Sequence, residues 1–258
     1  MLAPRLIPVL LVDSKFRLVK TINFAQRHYL GDPFNASYVF SAFEVDELLV
    51  LDIDATPQGR SISLRFVESL ARFTRVPLCV GGGISSLQQI QDLLALGVER
   101  VALSAALQSN FCFLQQATER FGSSSISVVI NVLERSDSGD SDLGPPTAFL
   151  GRHDAGHSGH ALLDLALLCQ QAGAGELILN FIKRDGTRCG YAVEQLAAVN
   201  RQFTIPLVGL GGCGSHFHIA ELLAASPLSG VAAGCLFVYA PDSREVLLNY
   251  PLTHQHCR

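Results

Sequence analysis

The phrase "VPLCVGGGI" at residues 76–84 returns as "IPLVGLGGCG" at 205–214, with Pro77 and Pro206 in matching places. Each is a short apolar run that meets glycine as it ends, as a strand buried on both faces does when it turns at once. The likeness spreads outward: "DELLVLD" pairs with "GELILNF", and "VALSAA" with "VAAGCL" after one inserted residue. A chain whose second half repeats the strand pattern of its first is expected to build two related halves. Six further runs have the same buried character: "LIPVLLV" (6–12), "DELLVLDID" (46–54), "RVALSA" (100–105), "ISVVINV" (126–132), "ELILNFI" (176–182) and "GVAAG" (230–234).

Amphipathic stretches lie between these runs, among them "SLRFVESLARF", "SSLQQIQDLLALG", "AVEQLAAVNRQF" and "HFHIAELLAAS". Several open on Ser or Asp and close on Gly, as helix caps do. Eight strand–helix units in 258 residues predict an α/β fold, a (β/α)8 barrel made of two duplicated half-barrels, with 1–258 as a single domain. Segment 134–160 resists this pattern. It is rich in Ser, Gly and Asp with a Pro-Pro, and is expected to be a long polar loop.

A net charge of −4 leaves no basic face for a nucleic-acid backbone. No apolar run approaches the roughly 20 residues that span a bilayer. Seven cysteines scattered through apolar segments, without a CxxC pair, point to reduced core thiols and a cytoplasmic address. Neither a metal nor a cofactor is expected. His153, His157 and His160 have metal-like spacing but lie in the polar segment 134–160, which favours a solvated loop. Cys79 and Cys235 read as small core residues, since no histidine is placed to activate them.

The glycine turns fall after the third and seventh strands, which face each other across an eight-strand barrel. One unit later, each is followed by a strand ending in small residues, Ser104-Ala105 and Gly234-Cys235. Glycine turns that aim N–H groups inward suit phosphate, so two opposed rims would hold a ligand with a phosphate at each end. Tight βα turns without a ligand would use the same glycines. His216 and His218, opening the helix after the second turn, suit either a phosphate contact or a cap.

The segments "MLAPRLIPVLL", "RLVKTINF", "GDPFNA", "DELLVLDIDA", "GAGELILN", "RDGTRCGY", "GGCG" and "AAGCLF" together resemble HisF, the cyclase subunit of imidazole glycerol phosphate synthase. The likeness covers nearly the whole chain outside 134–150. It implies a flexible loop after the first strand and a phosphate site at Gly82, Gly83 and Ser104. A second phosphate site is implied at Gly186, Gly211, Gly212, Gly234 and Cys235. It further implies a HisH-like glutaminase docked on the barrel base and ammonia passing up through the core. The charged ring at that entrance matches Arg5, Glu47, Arg100 and Glu176. A plain ion cluster plugging the base would use the same four residues.

The resemblance breaks at the top. HisF-type cyclisation implies an aspartate at the ends of the first and fifth strands, and the matching residues here are Leu11 and Asn131. Leucine carries no proton, and a neutral amide is no general base. Asp13, two residues beyond Leu11 on the same face of an extended strand, is the candidate to replace part of the missing acid's catalytic role. Lys20, Asp52, Asn180 and Asp185 keep their polar character, with Lys20 and Asp185 as further catalytic candidates and Asp52 and Asn180 as ligand contacts.

"PVLL", "RLVKT", "GDPFNA", "LDIDA" and the closing "LLNYP" resemble a narrower group, the WbuZ proteins associated with glycosyl amidation of surface polysaccharides. That likeness implies an ammonia-handling subunit working with a HisH-like glutaminase and a third, sugar-amidating protein. A cyclase of histidine biosynthesis using displaced acids is the alternative. An isomerase of the related HisA type is more distant, since it needs acids at the same two strand ends.

Overall fold

A computed structural model describes residues 3–108, 110–134, 146–151, 159–241 and 243–251. Eight parallel strands close on themselves: β1 (Arg5–Val12), β4 (Leu48–Asp52), β5 (Leu78–Gly81), β6 (Arg100–Leu103), β7 (Ile126–Leu133), β10 (Glu176–Phe181), β11 (Leu207–Leu210) and β12 (Gly230–Ala233). Closure comes from β1 against β12, where Arg5–Pro8 pair with Gly230–Ala233, and from β7 against β10. The fold is a (β/α)8 barrel, as expected.

Alternation along each strand sorts its side chains. On β1, Leu6, Leu10 and Val12 face the surrounding helices, whereas Ile7, Val9 and Leu11 join Leu49, Cys79, Ala102, Val129, Ile178 and Val208 inside the barrel. The same inward parity carries Arg5 at the bottom of β1. The lumen therefore has a charged base, an apolar middle and an open top. Cys79 sits in that middle, where burial pushes its thiol pKa well up, so it is an inert core residue.

The helices are α1 (Pro33–Ala42), α2 (Leu64–Phe73), α3 (Leu87–Ala95), α4 (Cys112–Phe121), α5 (Leu162–Gln171), α6 (Val193–Gln202), α7 (His216–Ala225) and a single turn, α8 (Cys235–Val238). On α2, Phe66, Val67 and Leu70 recur at helical spacing and bury one face against the sheet. Ser86 opens α3 with a capping box, its hydroxyl accepting from Gln89 N–H while Gln89 reaches back to Ser86 N–H.

Two departures from expectation matter for the site. The stretch after β1 is a hairpin, β2 (Leu18–Ile22) with β3 (Gln26–Gly31), and β2 adds antiparallel to β1 at Leu11–Val19 and Val12–Leu18. Segment 134–160 is not wholly loop: β8 (Thr147–Phe149) pairs antiparallel with β7, and β9 (His160–Ala161) with β8. Asn131 lies opposite Phe149, so the β7 ladder, already paired to β10, recruits the returning chain. Helix α1 begins where Asp32 accepts from Phe34 and Asn35 N–H, with Pro33 at the first helical position. Asp32→Ala is expected to cost about 1 kcal/mol and to lower Tm by a few degrees in a thermal melt; an unchanged Tm would show the cap to be dispensable.

Candidate functional site

A cavity of about 170 Å³ opens at the C-terminal ends of the barrel strands. Val9, Leu11, Leu51, Ala102, Val129 and Leu210 give it an apolar floor. Around that floor stand Lys20, Thr21, Arg27, Asp52, Gly82, Gly83, Ser104, Asn131, Asn180 and Asp185. In a (β/α)8 barrel this end of the strands is where chemistry is built. The sequence brings Leu11, Lys20, Asp52, Gly82, Gly83, Ser104, Asn131, Asn180 and Asp185 to one place. It gave no signal for Thr21 or Arg27.

Charge in this cavity is internally balanced. Lys20 Nζ lies 3.3 Å from Asp185 Oδ1, and both side chains are buried. Burial is the largest influence and works against the Lys20 charge, but Asp185, with Cys235 and Tyr239 behind it, raises the ammonium pKa above its ordinary value. Thr21 Oγ1 donates to the other Asp185 oxygen, and Asn23 N–H donates to the Asp185 carbonyl. Asp52 is held by Arg60, whose Nη1 and Nη2 lie 2.5 and 3.2 Å from its two oxygens. Arg27 reaches from β3 to Asp54 at 2.7 Å. The hairpin is thereby tied to the barrel by Asp185 on one side and Asp54 on the other.

Asp13 is a correction. The chain leaves β1 after Val12, and the Asp13 carbonyl accepts from Phe16 N–H in a turn. Its carboxylate accepts from Arg17 Nε and Nη2 and from the N–H groups of Lys15 and Arg17, and it does not line the cavity. Burial pushes this carboxyl up, but these bonds prevail and hold its pKa below 3.8. Two-residue alternation applies only while the strand lasts. Leu11, still within β1, does line the cavity, where the described carboxylates are Asp52 and Asp185.

Asn131 is likewise committed. Its Nδ2 donates to the Gly151 carbonyl at 2.6 Å, and its Oδ1 accepts from Asn180 Nδ2 at 3.1 Å. Ser104 Oγ donates to the Val129 carbonyl at 2.7 Å and accepts from Gly151 N–H at 2.8 Å. Gly151, within the 134–160 segment expected to be loop, is thus the backbone anchor of this wall.

The glycines are required by the backbone itself, as tight turns without a ligand would require them. A Cβ on Gly82 would fall 2.8 Å from the Asp52 carbonyl oxygen, and one on Gly83 would fall 1.9 Å from that of Arg60. Both have positive φ, at 137° and 62°. Backbone packing and the left-handed turn require glycine there, whatever ligand is bound. Gly186, Gly211, Gly212, Gly234 and Cys235 lie outside the cavity lining. Gly211 and Gly212 also have positive φ and pack on backbone oxygens of Phe181 and Gly190. Gly234 has Lys20 against it, where a Cβ would come within 2.6 Å of Nζ. His218 Nδ1 accepts from Gly214 N–H, a loop cap. His153 and His157 lie outside the described residues, and His160 is exposed.

At the opposite end of the lumen, Arg5 donates to both Glu47 and Glu176. Arg100 Nη1 lies 3.0 Å from Glu176 and 3.8 Å from Glu47, and Ser127 Oγ donates to Glu176 at 3.2 Å. Burial, with the Glu176 charge behind it, raises the Glu47 carboxyl pKa even though Arg5 and Arg100 pull it down. The two carboxylates overcome the burial of Arg5 and raise its pKa. The ring is nearly self-neutralised, with Arg100 Nε buried and lacking an acceptor among the described residues.

The sequence profile of the family described as "Histidine biosynthesis protein" matches residues 5–241. The chain belongs to this family, and within it to the HisF-like proteins. "Putative imidazole glycerol phosphate synthase subunit HisF" of Leptospira borgpetersenii is 41% identical over 251 residues, covering 97% of this chain and 96% of the relative. "Putative imidazole glycerol phosphate synthase subunit hisF3" of Vibrio vulnificus is 38% identical, covering 97% and 94%. "Imidazole glycerol phosphate synthase subunit HisF" of Streptococcus gordonii is 33% identical, covering 94% and 93%.

Three outcomes follow from this geometry. Gly83→Ala is expected to destabilise the ligand-free protein by roughly 1–3 kcal/mol; a melt with unchanged Tm would leave ligand binding as the glycine's sole reason. In Asn131→Asp the introduced carboxyl faces the Gly151 carbonyl, and only its protonated form can donate there. Its pKa, read by carbon NMR, is expected well above the ordinary value of about 3.9; an ordinary value would contradict the bond. Arg27, more than burial opposes it, holds Asp54 below 3.8. A depressed folded-state pKa adds stability above the unfolded value and loses it as pH falls through the folded one. The hairpin is therefore expected to resist proteolysis at about pH 5 and to loosen only below about pH 4; loosening at higher pH would contradict the tie.

Proposed function

We propose that this chain is a HisF-like subunit of a glutamine amidotransferase system, receiving ammonia at its base from a HisH-like glutaminase and passing it through the lumen to the top. The observation that carries this reading is the combination of a neutralised ring at the base with a mouth that has no proton-transfer group at Leu11 or Asn131. Ammonia crosses such a ring only uncharged, and mutually compensated side chains present no net field to hold it as ammonium. The product is an acetamidino sugar of a surface polysaccharide, formed with a third protein. The relative at 38% identity is named hisF3 and a further relative, from Pseudomonas aeruginosa at 34%, is named hisF2, and these numbered names support a role beside the histidine pathway. Imidazole glycerol phosphate synthase cyclisation is the second reading, favoured by the names of the relatives and by the buried Lys20–Asp185 pair.

Phosphate at the two glycine rims belongs to the same proposal. Gly82, Gly83 and Ser104 stand at the cavity wall, and Gly186, Gly211, Gly212, Gly234 and Cys235 would form the opposite rim. The cavity's cations are already paired, so phosphate would depend on backbone N–H groups there.

Glu47→Ala, assayed with a HisH-like glutaminase, is expected to keep most of the fold while glutamine hydrolysis loses its coupling to product. Melting temperature and coupling are measured on the same variant. Lower Tm with intact coupling assigns the ring to stability alone and overturns the conduit.

A further inference from the structure

The geometry points to a ligand that presents a neutral hydrogen-bond donor, an amide N–H or a hydroxyl, to Asn180 in the cavity wall. This inference rests on the wall described above and stands whether or not ammonia is conducted.

Asn131 and Asn180 form a relay whose polarity the backbone fixes. The Gly151 carbonyl can only accept, so the Asn131 group 2.6 Å from it is the amide nitrogen. Asn131 Oδ1 is then turned to Asn180 and takes a proton from Asn180 Nδ2 at 3.1 Å. Asn180 is left with Oδ1 as its free end. Turning either amide over would set oxygen against oxygen or nitrogen against nitrogen.

That Oδ1 meets no donor among the described residues, although Asn180 is only 8% exposed and lines the cavity. A Cβ on Gly211 would sit 3.5 Å from it, so the oxygen is tucked against the turn that follows β11. A buried acceptor without a donor is costly, and a ligand's N–H or O–H relieves that cost. The cations nearby are engaged: Lys20 with Asp185, Arg27 with Asp54 and Arg60 with Asp52. With Leu11, Val129 and Leu210 beside it, the floor suits a neutral polar group with an apolar flank, as an acetamido or hydroxyl substituent is. An anion would meet the Asn180 oxygen as a second acceptor and be repelled.

The test titrates protein labelled with nitrogen-15 with three probes: acetamide, N,N-dimethylacetamide and acetate. The first two share a carbonyl and differ in N–H donors. The Asn180 side-chain amide signal, assigned by its loss in Asn180→Leu, is followed. Acetamide is expected to shift it saturably and to bind about ten-fold more tightly than either other probe, the scale of one hydrogen bond. In Asn131→Leu the Asn180 amide is free to turn, and this preference is expected to vanish. Equal affinity for acetamide and N,N-dimethylacetamide in the native protein overturns the proposal, as does an Asn180 signal that acetamide leaves unmoved.

Discussion

Barrel closure is the constraint on which the rest depends. Once β1 pairs with β12 through Arg5–Pro8 and Gly230–Ala233, every barrel strand has two parallel neighbours and alternate residues must point into a shared lumen. That single geometric fact sets Arg5, Glu47, Arg100 and Glu176 on one level. It sets Leu11, Leu51, Ser104, Asn131 and Asn180 near the other end. The base becomes a charge ring because charges at a buried level survive only in mutual contact. The middle becomes apolar because nothing polar would find a partner there.

The mouth shows how substitution redirects a scaffold. Leucine on β1 removes a titratable group and extends the apolar floor upward. Asparagine on β7 can be both donor and acceptor, and it uses both: Gly151 on one side, Asn180 on the other. An aspartate there could satisfy Gly151 only when protonated. The hydrogen bonds of this wall therefore suit an amide at Asn131.

Much of this was legible in the sequence. Continuous apolar runs marked all eight barrel strands, because strands covered on both faces leave no polar alternation to confuse them. Matching motifs placed Lys20, Asp52, Asn180 and Asp185 at the mouth. What was missed has physical causes. Asp13 was carried along by two-residue alternation past the point where β1 ends. Helix α1 had its signal in Asp32-Pro33, a cap followed by proline, set in an otherwise mixed stretch. Thr21, Arg27, Arg60 and Gly151 come from a hairpin and loops, whose side-chain directions depend on contacts made only after folding. At the glycine turns, neighbouring backbone fills the space a Cβ would need, a packing constraint that the motifs alone do not show.

Leu11 and Asn131, which line the cavity from the ends of β1 and β7, carry no titratable group, and on the proposed reading the chain does not close the ring. The most direct test of that reading supplies the purified chain with the cyclase substrate of the family and an ammonium salt, bypassing any glutaminase, and follows product formation. Each proton-transfer role is typically worth about 10²–10⁴-fold, so turnover is expected to be negligible with both positions lost. Turnover at a rate usual for an enzyme would contradict the account and return the chain to cyclisation.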